Sequence, residues 1–291
     1  MSFVFHGDCL EWLPTLAASS ADMVLSDPPY FIDSMDSNWS AEEQIRRKSN
    51  SHIKALPSGM KFTKSQGVEF QKFMSKVAVE LFRVIKPGGF CVMFSSPRMY
   101  HNLVSALEKS GFEIRDQLIW KYNLSQSKAF SQNHIIDRDK IMTLPQKAAL
   151  KEKLKNFKTP QLKPLFEPMC LAMKPIEKRF IDNMRVHSTG LIYCRDGKTP
   201  TTIFEHNKPS KKEKTGNFHP TVKPLDLLNE LLDVFCPTNG VVIDPFLGSG
   251  STTVAAEKSG RTCLGSELNA DYIKIIESRR KLVKSGQPDR P

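Results

Sequence analysis

The sequence predicts an α/β fold around one mostly parallel sheet, and three observations lead to that fold class. Apolar runs of strand length alternate with helical segments along most of the 291 residues. Two short motifs, Asp27-Pro28-Pro29-Tyr30 and the glycine-rich run from Asp244 to Thr252, each directly follow an apolar run. Because open α/β sheets bind ligands at the carboxyl ends of their strands, we expect both motifs at one edge of the sheet.

The first 122 residues predict a regular alternation of strands and helices. Apolar residues keep helical spacing from Phe70 to Ile85, and Lys86-Pro87-Gly88-Gly89 is expected to end that helix. In chain order, we expect strands at 3–6, 22–26, 90–95 and 112–122, and helices at 9–16, 70–85 and 97–110. The C-terminal part continues with helices at 221–235, 251–258 and 270–283 and strands at 241–243 and 262–266. A frayed tail is expected at 285–291.

The composition is that of an ordinary soluble globular protein, with 40% hydrophobic and 25% charged residues. The formal net charge of +11 favours a polyanionic partner, because clustered Lys and Arg neutralise phosphates and release counterions. Nucleic acid fits this charge best. A membrane surface is the alternative, but neither an amphipathic basic helix nor a long apolar span is found in the sequence.

The chain start and the cysteines indicate the compartment. Met1 to Phe5 lacks the charged start and long apolar region of a signal peptide, so a cytoplasmic location is expected. The six cysteines form no Cys-x-x-Cys pair, which argues against a zinc site or a disulfide framework. Reduced thiols in the core are the expected state, and no bound metal is expected.

Basic residues concentrate in segments where the alternation weakens. Between Asn123 and Lys163, together with Lys121, there are ten Lys and Arg against three acidic residues. We therefore predict a catalytic half at 1–122, a basic insert for target recognition at 123–215 with a core strand near 167–173, and a cofactor-binding half at 216–291. A solvated charged face is the alternative for each basic stretch taken alone. The candidate DNA contacts are Arg46, Arg47, Lys48, Lys128, Lys211 and Lys212.

The glycine-rich run predicts a turn that lets a ligand approach the backbone closely. No Gly-Lys-Ser/Thr follows it, and Thr253 stands where a dinucleotide fingerprint needs its last glycine. Glu267 follows the next strand, a place where acidic side chains accept hydrogen bonds from ribose hydroxyls. Upstream, Thr221 is placed to cap a helix, and Lys223 or nearby backbone groups are placed to meet a carboxylate. Together these features predict an adenosyl ligand.

The motif beginning at Asp27 suits methylation of a base amine. The lone pair of such an amine is delocalised into the ring, so the site must localise it. The Asp27 carboxylate and the Pro28 carbonyl can each accept one amine N–H, and the prolines preorganise that carbonyl. Tyr30, helped by Phe31, offers a ring for stacking a base that has flipped out of the duplex. A plain turn after a strand is the alternative for the motif alone.

These residues resemble the permuted β class of DNA amino-methyltransferases, which use S-adenosylmethionine to modify N6 of adenine or N4 of cytosine. The class places its catalytic motif before its cofactor motif, as this chain does. The matching segments are Gly7-Asp8-Cys9-Leu10, Ser26 to Tyr30, Lys86 to Gly89, Glu167-Pro168-Met169, His219 to Pro224, Asp244 to Thr252, and Glu267. The resemblance implies a Rossmann-like sheet of about seven strands whose last strand is antiparallel, with an inserted basic DNA-recognition lobe.

The resemblance also implies roles for individual residues. Asp27, Pro28, Pro29 and Tyr30 would carry the chemistry. Phe246 would lie near the methionine part of the cofactor, Glu267 on its ribose, and Asp8 at its adenine, with helix capping as the alternative role of Asp8. The cofactor-binding set is Asp8, Asp27, Thr221, Lys223, Asp244, Phe246, Gly248, Ser249, Gly250, Ser251, Thr252, Glu267 and Leu268.

The first residue of the catalytic motif indicates the base. Cytosine-N4 enzymes of the class more often begin it with Ser, so Asp27 favours adenine N6, with S-adenosylhomocysteine as the second product. The alternatives are cytosine N4, a non-catalytic DNA-binding module, and an RNA or protein methyltransferase. The resemblance further suggests a bacterial or phage-encoded enzyme, a homodimer, and a separate restriction endonuclease as partner in restriction-modification.

Overall fold

A computed structural model describes residues 2–29, 64–125, 127, 129–209 and 222–284 of the chain. Its strands are Phe3–His6 (β1), Ala21–Ser26 (β2), Ile85–Phe94 (β3), Glu113–Lys121 (β4), Phe166–Met173 (β5), Ile203–Glu205 (β6), Val241–Asp244 (β7) and Thr262–Glu267 (β8). Its α-helices are Cys9–Trp12 (α1), Lys64–Val84 (α2), Tyr100–Lys109 (α3), Asn133–Arg138 (α4), Leu144–Lys153 (α5), Phe180–His187 (α6), Leu225–Phe235 (α7), Ser251–Lys258 (α8) and Ala270–Lys284 (α9).

The described strands form one sheet in the order β1-β8-β7-β2-β3-β5-β4-β6. At its centre, β2 lies between β7 and β3 and runs parallel to both. All six residues of β2 are buried, as expected for a strand of a parallel sheet that is covered on both faces. The predicted α/β fold with a mostly parallel sheet is therefore confirmed.

Two details of the sheet differ from the predicted seven strands with an antiparallel last strand. Within the described residues the sheet has eight strands, and β8, the last of them, is parallel to both β1 and β7. The antiparallel strand is β5, which pairs with β3. The backbone N–H of Tyr122 donates to the Leu165 carbonyl at 3.0 Å, so the chain enters β5 beside the place where β4 ends. Because the chain enters β5 at the end where it leaves β4, β5 runs in the direction opposite to β4.

Helices α2 and α3 cover one face of the sheet, and their apolar residues shield this face from solvent. Trp12, Phe70, Met74, Leu81 and Leu103 are all essentially buried there, in one cluster with Val24 and Met93 of the sheet. Elsewhere in the fold too the cysteines are mostly buried, as predicted, with Cys194 the one that is partly exposed.

Several helix boundaries differ from the predicted ones. The expected helix at 9–16 is an α-helix to Trp12 followed by a 3₁₀ turn at Leu13–Thr15, which contains Pro14. Helix α2 already begins at Lys64, and the run Lys86 to Gly89 belongs to β3 rather than to a loop. Helix α7 begins at Leu225, directly after Pro224. The described elements that were not predicted are α4, α5, α6, β6 and a 3₁₀ turn at Arg195–Gly197. The tail at 285–291 lies outside the described residues.

The chain divides into two compact units, Tyr122–Phe166 and the remainder. The smaller unit contains α4 and α5, and it is shorter than the predicted insert at 123–215. Residues after Phe166 join the larger unit because β5 and β6 both pair within its sheet. Across the described ranges, no helix combines the length and the apolar character needed to cross a membrane.

A buried carboxylate, Asp22, holds three strands together at the amino end of β2. Its Oδ1 accepts a hydrogen bond from Lys86 Nζ at 2.6 Å, and its Oδ2 accepts one from the Val241 backbone N–H at 2.7 Å. The side chain of Asp22 is only 5% exposed. The bonds join β2 to β3 and to β7, and a buried group of this kind is stabilising only while its partners remain.

Replacing this carboxylate should therefore lower stability strongly. Asp22→Ala leaves the Lys86 ammonium and the Val241 N–H without their acceptor, and we expect the free energy of unfolding to fall by about 3 kcal/mol. Urea denaturation followed by circular dichroism measures the loss. The control Glu11→Ala removes an exposed carboxylate and should change stability by less than about 0.5 kcal/mol. Equal effects of the two substitutions would contradict the role of Asp22.

Candidate active site

The sheet brings the two sequence motifs side by side at one edge. Strands β2 and β7 are parallel neighbours, with Val24 opposite Ile243, so both end at the same edge. There the Ser26 hydroxyl donates a hydrogen bond to Asp244 Oδ1 at 2.6 Å. Asp27 is the next residue after Ser26. Asp27, the first residue of one motif, therefore directly follows a residue that is hydrogen-bonded to Asp244, the first residue of the other. Ser26 and Asp244 are 218 positions apart in the sequence.

Asp244 organises the beginning of the glycine-rich turn. Its Oδ1 also accepts the backbone N–H of Phe246 at 3.0 Å, which fixes the direction of the chain after β7. The carboxyl is 2% exposed, and burial raises its pKa to about 6 despite hydrogen bonds from Ser26, Thr252 and Phe246 that lower it. Asp244 is therefore a buried carboxyl at the base of the site.

The structure gives the glycines of the turn a packing role. Gly248 and Gly250 have φ of 54° and 79°, a region that residues with a side chain rarely adopt. A Cβ on Gly250 would also stand 2.8 Å from Cγ1 of Ile276 in α9. The turn therefore packs tightly against α9. At Gly250 the contact with Ile276 by itself, apart from the positive φ, leaves no room for a larger residue.

A buried arginine in α9 supports the same turn. Nη1 of Arg279 donates to the Ser249 carbonyl at 2.8 Å and to the Ser251 hydroxyl at 3.2 Å, and the residue is 2% exposed. Arg279 was not predicted from the sequence. Its spacing was a usable signal, since Tyr272, Ile276 and Arg279 follow the i, i+4, i+7 pattern of a buried helix face.

Glu267 closes the turn from the end of β8. Its Oε2 accepts the Gly248 N–H and its Oε1 accepts the Asn269 N–H, both at 2.8 Å. Burial raises the pKa of Glu267 to about 7; these N–H bonds lower it, and the nearby Asp244 carboxyl raises it further. Glu267 thus lies beside the glycine-rich turn with both carboxylate oxygens on backbone N–H groups, its cofactor role stays a prediction, and its neighbour Leu268 is 72% exposed.

Lys223 lies against the candidate catalytic carboxylate. Its ammonium is paired with Asp27 Oδ2, lies 3.3 Å from Glu167 Oε2, and is 4.9 Å from the centre of the Phe94 ring. Its side chain is 7% exposed. Burial alone would lower the pKa of Lys223, but the carboxylates of Asp27 and Glu167 outweigh that effect and raise it. The carboxylates that Lys223 meets here are thus two of the protein's own. Glu167 was named from the sequence only as part of a segment that resembles the family, without a role at the site, and Phe94 was given no role.

Only some of the remaining predicted site residues lie within the described ranges. Asp8 caps α1 through a 2.8 Å bond from the Leu10 N–H, which is the alternative role considered for it. Pro28 is buried and Pro29 half-buried, beside Asp27. Ser249, Ser251 and Thr252 are buried where the turn enters α8. The predicted residues outside the described ranges are Tyr30, Phe31, Thr221, Arg46, Arg47, Lys48, Lys128, Lys211 and Lys212.

The arrangement has two chemical parts. Asp27 supplies a carboxylate, held by a buried cation, beside a proline carbonyl at the strand end. The turn supplies backbone groups, with the buried carboxyl of Asp244 at its start and the half-buried carboxyl of Glu267 beside it. A metal centre is not formed by the described residues, since no group of three or more His, Cys, Asp or Glu stands close enough together. The geometry fits a site where one ligand lies on the turn and a second meets Asp27.

Comparison with known proteins identifies relatives along almost the whole chain. A family model described as DNA methylase, of the N6/N4 type, matches residues 21–278. The Type II methyltransferase M.HindIII of Haemophilus influenzae is 26% identical over 97% of this chain and 96% of its own length. The Type II methyltransferase M2.DpnII of Streptococcus pneumoniae is 24% identical over 94% of this chain and 87% of its own length.

Solved structures share the fold. The PvuII DNA methyltransferase, described as cytosine-N4-specific, superposes with a TM-score of 0.62 at 15% identity, covering 95% of this chain and 85% of that one. TTHA0409 of Thermus thermophilus, described as a putative DNA modification methylase and complexed with S-adenosyl-L-methionine, gives a TM-score of 0.56 at 19% identity over 98% of this chain and 94% of that one.

The raised pKa of Glu267 predicts how stability depends on pH. The pKa of a free glutamate is 4.5, so ionising Glu267 in the folded protein is unfavourable. Its contribution to stability is fully present below pH 4.5 and is lost as pH rises through about 7. Glu267→Gln should therefore flatten the fall of the unfolding free energy over this window. Urea denaturation at several pH values tests it, with exposed Glu277→Gln as the control, and parallel curves for Glu267→Gln and the parent would contradict it.

Removing the cation beside Asp27 should destabilise the fold. Lys223→Met leaves the Asp27 and Glu167 carboxylates facing each other in a poorly hydrated place, and we expect a loss of about 3 kcal/mol. The second substitution Glu167→Gln in this variant should restore part of the loss, because one of the two repelling charges is gone. Chemical denaturation measures both. Lys178→Met, at an exposed position, is the matched control, and a loss no larger than the control's would refute the pairing.

Proposed function

Because the chain belongs to the N6/N4 DNA methylase family, we propose that it transfers the methyl group of S-adenosylmethionine to N6 of an adenine in DNA. The observation that carries the proposal is the Asp27 carboxylate, followed by Pro28, at the end of β2 and next to the glycine-rich turn at the end of β7. A base amine and a methyl donor bound at these two places would be neighbours.

Asp27 and Pro28 act on the amine. The Asp27 carboxylate accepts one N–H and the Pro28 carbonyl accepts the other, which turns the nitrogen lone pair out of conjugation with the ring. As the new N–C bond forms, positive charge grows on nitrogen and the carboxylate stabilises it, and one N–H proton then leaves to solvent to give the neutral methylated amine. Lys223 holds Asp27 in place, so the carboxylate does not have to reorganise during the step. The cofactor, when bound, supplies the electrophilic methyl and leaves as S-adenosylhomocysteine.

The turn and its supports hold the cofactor. Gly248 and Gly250 shape the backbone, and Arg279 fixes it from behind through the Ser249 carbonyl. Glu267, at the end of β8, is the proposed acceptor for the ribose hydroxyls. The similar structure of TTHA0409 was determined with S-adenosyl-L-methionine, which supports the same cofactor here.

Adenine is favoured over cytosine by the aspartate at the head of the catalytic motif. Cytosine N4 is the second candidate, since the similar PvuII enzyme is described as cytosine-N4-specific. Both reactions use the same donor and the same two acceptors on the amine. Base flipping, a homodimer and a separate endonuclease belong to this proposal as well, and the basic residues of Tyr122–Phe166 are the proposed contacts to DNA phosphates.

One assay tests the reaction and the base together. The purified protein is incubated with methyl-labelled S-adenosylmethionine and unmethylated bacterial DNA, and the digested nucleosides are identified by mass. Labelled N6-methyladenine supports the proposal. Labelled N4-methylcytosine would show that the substrate base is cytosine and would leave the proposed mechanism unchanged. Absence of label from any DNA, with cofactor binding intact, would overturn it. Sequencing the modified DNA then maps the recognition site.

Asp27→Ala should separate chemistry from cofactor binding. It removes the group that acts on the amine, so we expect the rate of methyl transfer to fall at least about a hundredfold while the Kd for the cofactor stays within about threefold. Single-turnover kinetics and calorimetry measure the two quantities. Asp116→Ala, at an exposed position in β4, serves as the control. An unchanged transfer rate would refute the role assigned to Asp27.

A further inference from the structure

A second carboxylate faces the lysine that holds Asp27. Oε2 of Glu167 lies 3.3 Å from Lys223 Nζ, which is the distance of an ion pair rather than of a short hydrogen bond, and this oxygen is shielded from solvent. The whole Glu167 side chain is 26% exposed. The ammonium of Lys223 is therefore shared by two carboxylates, those of Asp27 and Glu167.

The sheet explains how Glu167 reaches this place. Glu167 is the second residue of β5, and the carbonyl of Pro168 accepts the Ser95 backbone N–H at 2.9 Å, directly after β3 ends. The start of β5 is thus fixed at the edge of the sheet where β2 and β3 end. Because β3 lies between β2 and β5, an ammonium over the Phe94 ring at the end of β3 can meet a carboxylate from each neighbouring strand.

Stability does not require the second carboxylate. One anion is enough to balance one ammonium, and a further anion in a poorly hydrated place is unfavourable. A neutral glutamine of the same shape would fill the same space without that cost. The two carboxylates raise the pKa of Lys223 despite its burial, so its ammonium stays charged at neutral pH. One ammonium and two carboxylates together carry a formal net charge of −1.

This net charge bears on the proposed reaction. As the amine lone pair forms the N–C bond and the S–C electron pair stays on sulfur, positive charge moves from the sulfonium to the amine nitrogen. Asp27 paired with Lys223 alone would be formally neutral and would stabilise that charge only weakly, whereas Glu167 makes the group anionic again. Strand order gives the effect a direction. The glycine-rich turn follows β7, Asp27 follows β2, and Glu167 stands beyond both in β5, so the positive charge moves toward Glu167.

We propose that Glu167 is a positioning residue of the methyl transfer, which shares the charge of Lys223 so that Asp27 stays an anionic acceptor for the base amine. The inference rests on the proposed function, since it requires an amine at Asp27. Glu167 acts on the step in which charge appears on nitrogen. Its effect is therefore expected in the rate of transfer rather than in the affinity for the cofactor.

A double-mutant cycle with Lys223 separates this role from a structural one. Glu167→Gln keeps the shape and removes the charge, so we expect the single-turnover rate on DNA to fall about tenfold or more, with the Kd for S-adenosylmethionine within about threefold of the parent. In a Lys223→Met background Asp27 has no cation to share, so the same substitution should lower the rate by no more than about twofold. Glu167→Asp, which keeps the charge, should recover most of the rate lost in Glu167→Gln.

The matched control is Glu113→Gln, at the exposed start of β4, which should leave the rate and the Kd within about twofold of the parent. Urea denaturation confirms that each variant remains folded. An unchanged rate in Glu167→Gln would overturn the inference. Equal losses in the two backgrounds would also overturn it, because Glu167 would then act without Lys223, and so would a loss confined to the Kd. A parent that methylates no DNA would instead refute the proposed function.

Discussion

The parallel pairing of β2 with β7 is the constraint on which the whole site depends. The β7 strand is fastened to β2 at both ends: the Val241 N–H donates to Asp22, and Ser26 donates to Asp244. Each bond uses a buried carboxylate, which gains nothing unless its partner is in place. The register between the strands therefore fixes how far Asp27 stands from the glycine-rich turn. The β8 strand packs closely against the end of β7, since a Cβ on Gly265 would stand 2.5 Å from the Asp244 carbonyl.

The site is rich in carboxyl groups for so buried a place. Asp244 and Glu267 both have raised pKa values because burial penalises their charge, and Lys223 is the cation that offsets Asp27 and Glu167. In the proposed complex the cofactor would bring a positively charged sulfonium to the site that holds Asp244 and Glu267, so we expect cofactor binding to be coupled to the ionisation of these two carboxyls.

The core strands and the order of the two motifs could be predicted from the sequence, because buried strands appear as apolar runs and each motif directly follows one. Two other features lacked such a signal. Strand β6 has only three residues, too few for a periodic pattern. The pairing of Lys223 with Asp27 joins positions 196 residues apart, and it is set by strand order rather than by local sequence.

Some missed features did have a local signal. The start of α5 matches a capping box, since Thr143 is followed three residues later by Gln146. The placement of β5 could not be deduced in the same way, because its direction depends on how the chain returns through Tyr122–Phe166. The fold class was thus predictable from patterns, whereas the site contacts needed the topology.

The distance along the chain between β2 and β7 has a consequence for biosynthesis. Ser26 and Asp244 are 218 positions apart. At ribosomal rates of roughly 5 to 20 residues per second, β7 is synthesised on the order of 10 to 40 s after β2, and β2 lacks this neighbouring strand for that time. During that time one edge of a central strand that is buried in the finished fold has no partner of its own, and such edges are prone to join other chains. The candidate active site therefore cannot be completed before β7 has been synthesised, and until then the β7-facing edge of β2 is open to pairing with other chains.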